Sequence, residues 1–245
     1  MSNIVRDHLL EVLDKGFRFD NRKFDQYREI TVEYGISSKS AEGSARVKIG
    51  KTEVVAGVKT ELGTPYADNP DQGTIMVNME LLPLSSPEFE SGPPSIESIE
   101  IARVVDRAIR EGKALNFKKL CIKEGEQMWM ILIDIYPIND DGNLFDAAAL
   151  AALAALKDAK FPKVVNDKIS YKEGFSNTKL PLEKLPLSCT IYKVGNHFLV
   201  DPNSDEEKGI DARLTVGVLE NGELCSLQKG GDTGLTPEDI DTMVE

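Results

Sequence analysis

The chain is poor in the residues that build most metal and acyl-transfer sites. Its 245 residues hold two histidines, His8 and His197, and three cysteines, Cys121, Cys189 and Cys225. Two histidines and no close Cys pair argue strongly against a zinc site, and two scattered histidines make a Ser-His-Asp triad implausible. The cysteines are odd in number, widely spaced and set among apolar residues, so they read as reduced core thiols of a cytoplasmic protein. Basic residues are outnumbered, 29 against 41 acidic ones, for a net charge of -12. That balance argues against a chain that grips nucleic acid unaided, unless one face or a partner is basic. No charged-then-apolar leader opens the sequence, and no apolar run reaches membrane-spanning length.

The most informative stretch is 131–156. An apolar strand holding Ile131, Leu132, Ile133 and Ile135 leads into the turn 139–143, followed by the Ala-Leu run 147–156. A helix apolar all round is buried on every side, and its N-terminal end would be a natural anion site. The turn itself argues against that use, because Asp140, Asp141 and Asp146 would repel phosphate. Their simplest role is turn and helix-start chemistry, rather than metal ligation or acid-base catalysis. Trp129 reads as core.

Helical spacing predicts a peripheral amphipathic helix over 4–15, ended by Gly16, then a polar loop at Arg18-Phe19-Asp20-Asn21-Arg22. Strands follow at 30–34, 44–50, 52–59 and 74–82. Alternation leaves Arg46, Lys48 and Lys59 on polar faces. Gly43, Gly50 and Gly57 match no phosphate-loop spacing and are read as turns and bulges. The segment 83–94, with four prolines, is a loop, and Ser95 is the N-cap of a helix reaching about Ala114. Strand character returns at 120–123 and 127–136. Residues 163–184 are the expected connection between two lobes, beyond which four short strands lie within 189–228. Thr236 and Pro237 announce a further helix. The acidic residues Asp201, Asp205, Glu206 and Glu207 read as a solvated turn between two strands. The order of elements predicts an α+β fold, with sheets backed by a central helix layer.

Arg103, Arg107 and Arg110 are four and three apart on the helix that Ser95 starts, and so share a face. Such a stripe suits phosphodiester contacts, although pairing with Glu100, Asp106 and Glu111 on a solvated face is the commoner outcome of this spacing.

Several pieces taken in order resemble one family. They are the 18–22 loop, Gly43-Ser44-Ala45, Gly50-Lys51-Thr52-Glu53-Val54, Glu100 through Arg107, and Asp141-Gly142-Asn143-Leu144 opening the Ala-Leu helix. Together they resemble the RNase PH family, from about Gly16 onward. Within it the chain is most similar to catalytically inert RNase PH-like subunits of archaeal exosomes, notably at 81–84, 102–106 and 211–215. The resemblance implies a core lobe like domain 2 of ribosomal protein S5 at 29–166 and a smaller α/β lobe at 183–245, after an N-terminal helix and loop at 1–28. Active members degrade RNA from its 3′ end by phosphorolysis, holding phosphate with Thr or Ser and an Arg at the central helix. Ungapped alignment puts Asn143 and Leu144 at those positions, and Arg213 at an active-site aspartate. The resemblance thus implies a chain with no catalytic residues, cofactor or metal of its own, pairing with an active paralogue in a ring of three heterodimers that carries RNA-binding cap subunits. Single-stranded RNA would meet Arg103, Arg107 and Arg110. A chain that is itself a phosphate-dependent exoribonuclease, using Asp201, Asp205 or Glu206, is the alternative, and a stand-alone homo-oligomer is a third.

Overall fold

A computed structural model describes residues 2–165 and 168–245. The elements, in chain order, are α1 (Ser2–Leu13), β1 (Ile30–Tyr34), β2 (Gly43–Ile49), β3 (Thr52–Gly63), β4 (Thr74–Met79), α2 (Ile96–Glu111), β5 (Cys121–Lys123), β6 (Gln127–Asn139) and α3 (Leu144–Asp158). After these come β7 (Lys160–Pro162), β8 (Val164–Val165), β9 (Lys168–Ile169), β10 (Phe175–Lys179), β11 (Leu187–Val194), β12 (His197–Val200), α4 (Ser204–Glu207), β13 (Ala212–Val218), β14 (Leu224–Gly230) and α5 (Pro237–Val244).

A six-stranded sheet runs β1-β2-β3-β6-β4, with β5 also paired to β6. Among the described strands only β4 lies parallel to its neighbour. A second, antiparallel sheet runs β12-β11-β13-β14. Helices α2 and α3 lie between them: α3 packs on β2, β3 and β6 on one side and β11 on the other, while α2 reaches β4 and β14. This is the α+β arrangement with a central helix layer that the order of elements predicts.

In α3 only Leu150, Lys157 and Asp158 escape full burial. Alanine at seven positions, from Ala147 to Ala155, keeps the helix thin enough for a sheet on each side. Gly43 is part of the same fit. A Cβ there would lie 2.4 Å from the Ala155 carbonyl oxygen and 2.5 Å from the Ala159 Cα. Gly43 and Gly57 are in-register strand residues, paired with Val58 and Ser44, and not the turns or bulges expected of them. Gly50 is a turn, at φ +59.

Ser95 caps α2 as expected, accepting a hydrogen bond from the Ser98 N–H. The helix stops at Glu111, short of Ala114, and Thr236 caps α5. The connection after α3 is folded rather than a plain link, with β7 pairing β10, β8 pairing β9, and Leu180 buried in the main core. Helix α1 packs Leu9 and Leu13 onto Tyr192, Val194 and Leu199 of the second sheet. Trp129 is core. The three cysteines are free but only partly buried, which corrects their reading as core thiols: Cys121 begins a short strand, Cys225 lies on the edge strand β14, and Cys189 borders the Tyr27 hydroxyl at 3.1 Å. Among the described residues no helix is long and apolar enough to cross a membrane.

Candidate functional site

The turn before α3 meets the loop after β12 at the N-terminal end of the buried helix. Gly142 and Asn143 both adopt left-handed backbone, at φ +84 and +61, and so does Asp201 opposite, at φ +48. Such conformations are rare outside glycine and cluster where a site constrains the chain. Gly142 has no room for a side chain, since a Cβ would fall 2.5 Å from the Pro202 carbonyl oxygen. Thr52, at the start of β3, staples the turn by donating its hydroxyl to the Gly142 carbonyl and accepting the Asp141 N–H.

Asn143, at the position where the resemblance expects a phosphate-holding hydroxyl, is fully buried and turned inward. Its amide donates to Asp201 Oδ1 at 3.0 Å and to Asp146 Oδ2 at 3.1 Å, and its oxygen accepts from the Tyr192 hydroxyl. Leu144, at the arginine position, is also buried. Asp146 is buried too, pinned by the Tyr27 hydroxyl at 2.7 Å and the Thr190 hydroxyl at 2.7 Å, so it ties α3 to β11. Burial raises its pKa despite those bonds.

The acidic loop after β12 departs most from expectation. Asp201 and Glu206 are fully buried, not solvated, because arginines about 180 positions earlier in the chain come to meet them. Arg28 grips Asp201 with two charge-assisted bonds, Nε at 2.9 Å and Nη2 at 2.7 Å, and adds its backbone N–H. Arg22 donates to the same carboxylate at 2.9 Å. Arg18, likewise fully buried, makes a bidentate pair with Glu206 at 2.6 and 3.1 Å and reaches the carbonyls of Val200 and Asp201. Burial disfavours the Asp201 carboxylate, yet the hydrogen bonds and charge of Arg28 hold its pKa below the ordinary range. The 18–22 loop is therefore an internal clamp whose arginines already have anions, and Asp205 stays exposed.

Beside this knot lies an acidic cluster of Glu207, Asp140 and Glu97. Burial, together with Asp140 and Glu97 nearby, pushes the Glu207 carboxyl up to about 8. Burial and neighbouring carboxylates also raise Asp140 and Glu97. A proton bound by folded Glu207 but released by an unfolded carboxyl near 4.5 stabilises the fold below that value. This contribution falls as pH rises and is gone above about 8. Glu207→Gln is accordingly expected to gain on the order of 2 kcal/mol over the parent at pH 9 and almost nothing at pH 4. Urea melts at both pH values check this, and parallel pH profiles for the two proteins would refute it.

The three stripe arginines are all exposed but divide between two places. Arg103 and Arg107 line a cleft of about 420 Å³ with Ile99 and Gln228, where Arg107 donates to the Gln228 side chain at 3.1 Å. Arg110 turns away, paired with Asp106 at 2.9 Å and bonded to the Ile75 carbonyl. Glu100 is taken by Arg213 at 2.7 Å, and the Arg213 guanidinium lies 4.1 Å from the Phe145 ring centroid. The residue at the expected aspartate position is thus a cation stacked on the first turn of α3. The buried roles of Arg18 and Glu206 had no local signal, since partners this far apart look like two unrelated surface loops.

Models of the 3′ exoribonuclease family match the chain twice, domain 1 over residues 26–162 and domain 2 over 184–245. The chain is 46% identical over 244 residues to exosome complex component Rrp42 of Methanocella arvoryzae, covering all of this chain and 91% of that protein. Against Rrp42 of Methanothermobacter thermautotrophicus it is 44% identical, covering 97% and 88%. In three dimensions it superposes with a TM-score of 0.91 on a chain of the Archaeoglobus fulgidus exosome with RNA bound to the active site, at 44% identity over 99% of this chain and 93% of that one. Rice Rrp46, at 19% identity and a TM-score of 0.68, shares the fold over 93% of this chain and 91% of its own. With both domain models matched in order and relatives of this identity spanning its full length, the chain belongs to the 3′ exoribonuclease, or RNase PH, family.

Proposed function

We propose that this chain is a non-catalytic, RNA-binding subunit of an archaeal exosome core ring in the cytoplasm. It pairs with an active RNase PH-like paralogue in a trimer of dimers beneath RNA-binding cap subunits, and supports 3′-to-5′ phosphorolysis carried out by that partner. The observation that carries the reading is the state of the helix end that would hold phosphate: Asn143 and Leu144 are buried, and Arg18, Arg22 and Arg28 are neutralised by the chain's own carboxylates. An oxyanion arriving there would find those arginines already paired and a cluster of carboxylates beside them, so neither attack nor charge stabilisation is supplied. The likeness to Rrp42 proteins and to an RNA-bound exosome supports the assembly.

The assay that decides it combines the purified chain, poly(A) RNA and inorganic phosphate, with and without the active paralogue. Nucleoside diphosphates are expected only with the paralogue present, and their release by the chain alone would overturn the reading. In the assembled ring, Arg103 and Arg107 are positioned to hold backbone phosphates with little sequence preference. Replacing both with Ala should weaken RNA binding at every sequence and flatten the log-log salt slope by about 0.7 for each phosphate no longer neutralised. Unchanged affinity and slope would remove them from the RNA path.

A further inference from the structure

A second cavity, of about 600 Å³, opens on the other side of Arg110, between the 65–73 loop, the end of α2 and the turn Phe117–Leu120. Its volume lies within the range of small-molecule sites. Arg110, Lys113 and Lys118 line it against a single carboxylate, Glu183, an inverted balance in a chain of net charge -12. Glu183 is already bonded to Lys119 at 2.8 Å and to the Asn116 amide at 2.9 Å. Arg110 is shared with Asp106, and Lys118 with Asp71. Among the described residues Lys113 has no ion pair.

The backbone singles out the same lysine. Lys113 stands at φ +50 in the closing turn of α2, where its N–H bonds the Arg110 carbonyl and the Ala114 N–H bonds the Ile109 carbonyl. Glycine is the usual residue at that left-handed position. A lysine there carries a backbone strain that glycine would avoid, and its side chain is directed to a cavity short of anions. Aromatic surface completes the lining: Tyr66 is 60% exposed, and Phe117 lies under the Arg110 guanidinium at 5.8 Å. A flat apolar face beside one unpaired cation and two exposed, solvent-shared ones is the chemistry that receives a base and its phosphate.

We propose that this cavity is a nucleotide subsite, with a base stacked on Tyr66 and a phosphate held by Lys113, Arg110 and Lys118. The nucleotide is either a residue of a bound RNA strand or a free nucleoside diphosphate. The subsite extends the RNA-binding reading without depending on Arg103 or Arg107, or on assembly of the ring. The test titrates the full chain, at low salt, with a fluorescein-labelled oligo(A) and with ADP as competitor. Lys113→Gly suits the φ of that position, so it should leave the melting temperature unchanged or higher while weakening oligo(A) binding about tenfold. Tyr66→Leu should weaken it by a similar factor, the size of one base stack. ADP competing at this site assigns it to a free nucleotide, and failure to compete assigns it to a nucleotide within the strand; both sustain the subsite. No binding by the parent chain, or unchanged affinity in either variant, overturns it. Loss on Arg103→Ala with Arg107→Ala in the ring, but not here, would leave the cleft reading intact while removing this one.

Discussion

Asp201→Ala is expected to destabilise the chain by about 4 kcal/mol, near the loss typical of breaking a buried ion pair from one side. The carboxylate accepts from Arg28 three times, from Arg22 once and from the Asn143 amide once. Removing this fully buried carboxylate strips Arg28 of three bonds and Arg22 and the Asn143 amide of one each; the partners they keep, Asp141, Asp20 and Asp146 among them, do not replace the acceptor lost at the centre of the knot. Asp201→Asn separates charge from shape, because asparagine tolerates the left-handed φ of this position and retains one acceptor oxygen. It should lose about half as much. Acid provides a second test. The Asp201 pKa is held down in the fold, so its contribution is present above the unfolded carboxylate range near 3.9 and disappears as pH falls through the lower folded value. The alanine variant should lack that acid limb. A loss under about 1 kcal/mol in urea melts, in the range of exposed pairs, would show that the arginines are satisfied by water instead.

Gly43→Ala should lower stability by about 3 kcal/mol, at the upper end for overpacking, whereas Gly57→Ala should be close to neutral. Both glycines sit in the same antiparallel ladder, so strand propensity alone favours alanine equally at each. Space separates them: the new methyl at 43 would meet backbone atoms of α3 at 2.4 to 2.5 Å, and at 57 only the Ala41 methyl at 3.8 Å. Helix backbone cannot swing aside as a side-chain tip does, and α3 is held from behind by β11. Relief therefore requires prising the central helix off the sheet. Thermal melts of the two single variants suffice, and equal melting temperatures would refute the close fit.

Periodicity was a good guide wherever one face of an element decides its fate. The alternation of β3, the apolar run of α3, the Ser95 and Thr236 caps and the polar faces of Arg46, Lys48 and Lys59 all follow from neighbours within a few residues. Pairing of distant loops left no such trace. Arg18-Phe19-Asp20-Asn21-Arg22 and Asp201 through Glu207 each read as solvated polar loops, and only juxtaposition turns them into a buried clamp. Gly43 looked like a turn for the same reason, since the helix it must accommodate begins about 100 positions later. The three arginines of α2 share a face by spacing, yet Asp106 and the end of the helix draw Arg110 toward a different cavity from the one beside Arg103 and Arg107.

The sequence by itself determined the class of fold and the burial of the alanine-rich helix, because composition and local spacing set what each element can bury. Tertiary structure alone decided that the arginines of the N-terminal loop are consumed by internal carboxylates, that Glu207 holds its proton near neutrality and that a basic, aromatic cavity lies beside Arg110. Those outcomes depend on which charges meet out of water, and an electrostatic interaction takes its strength from distance and solvation, neither of which is written along the chain.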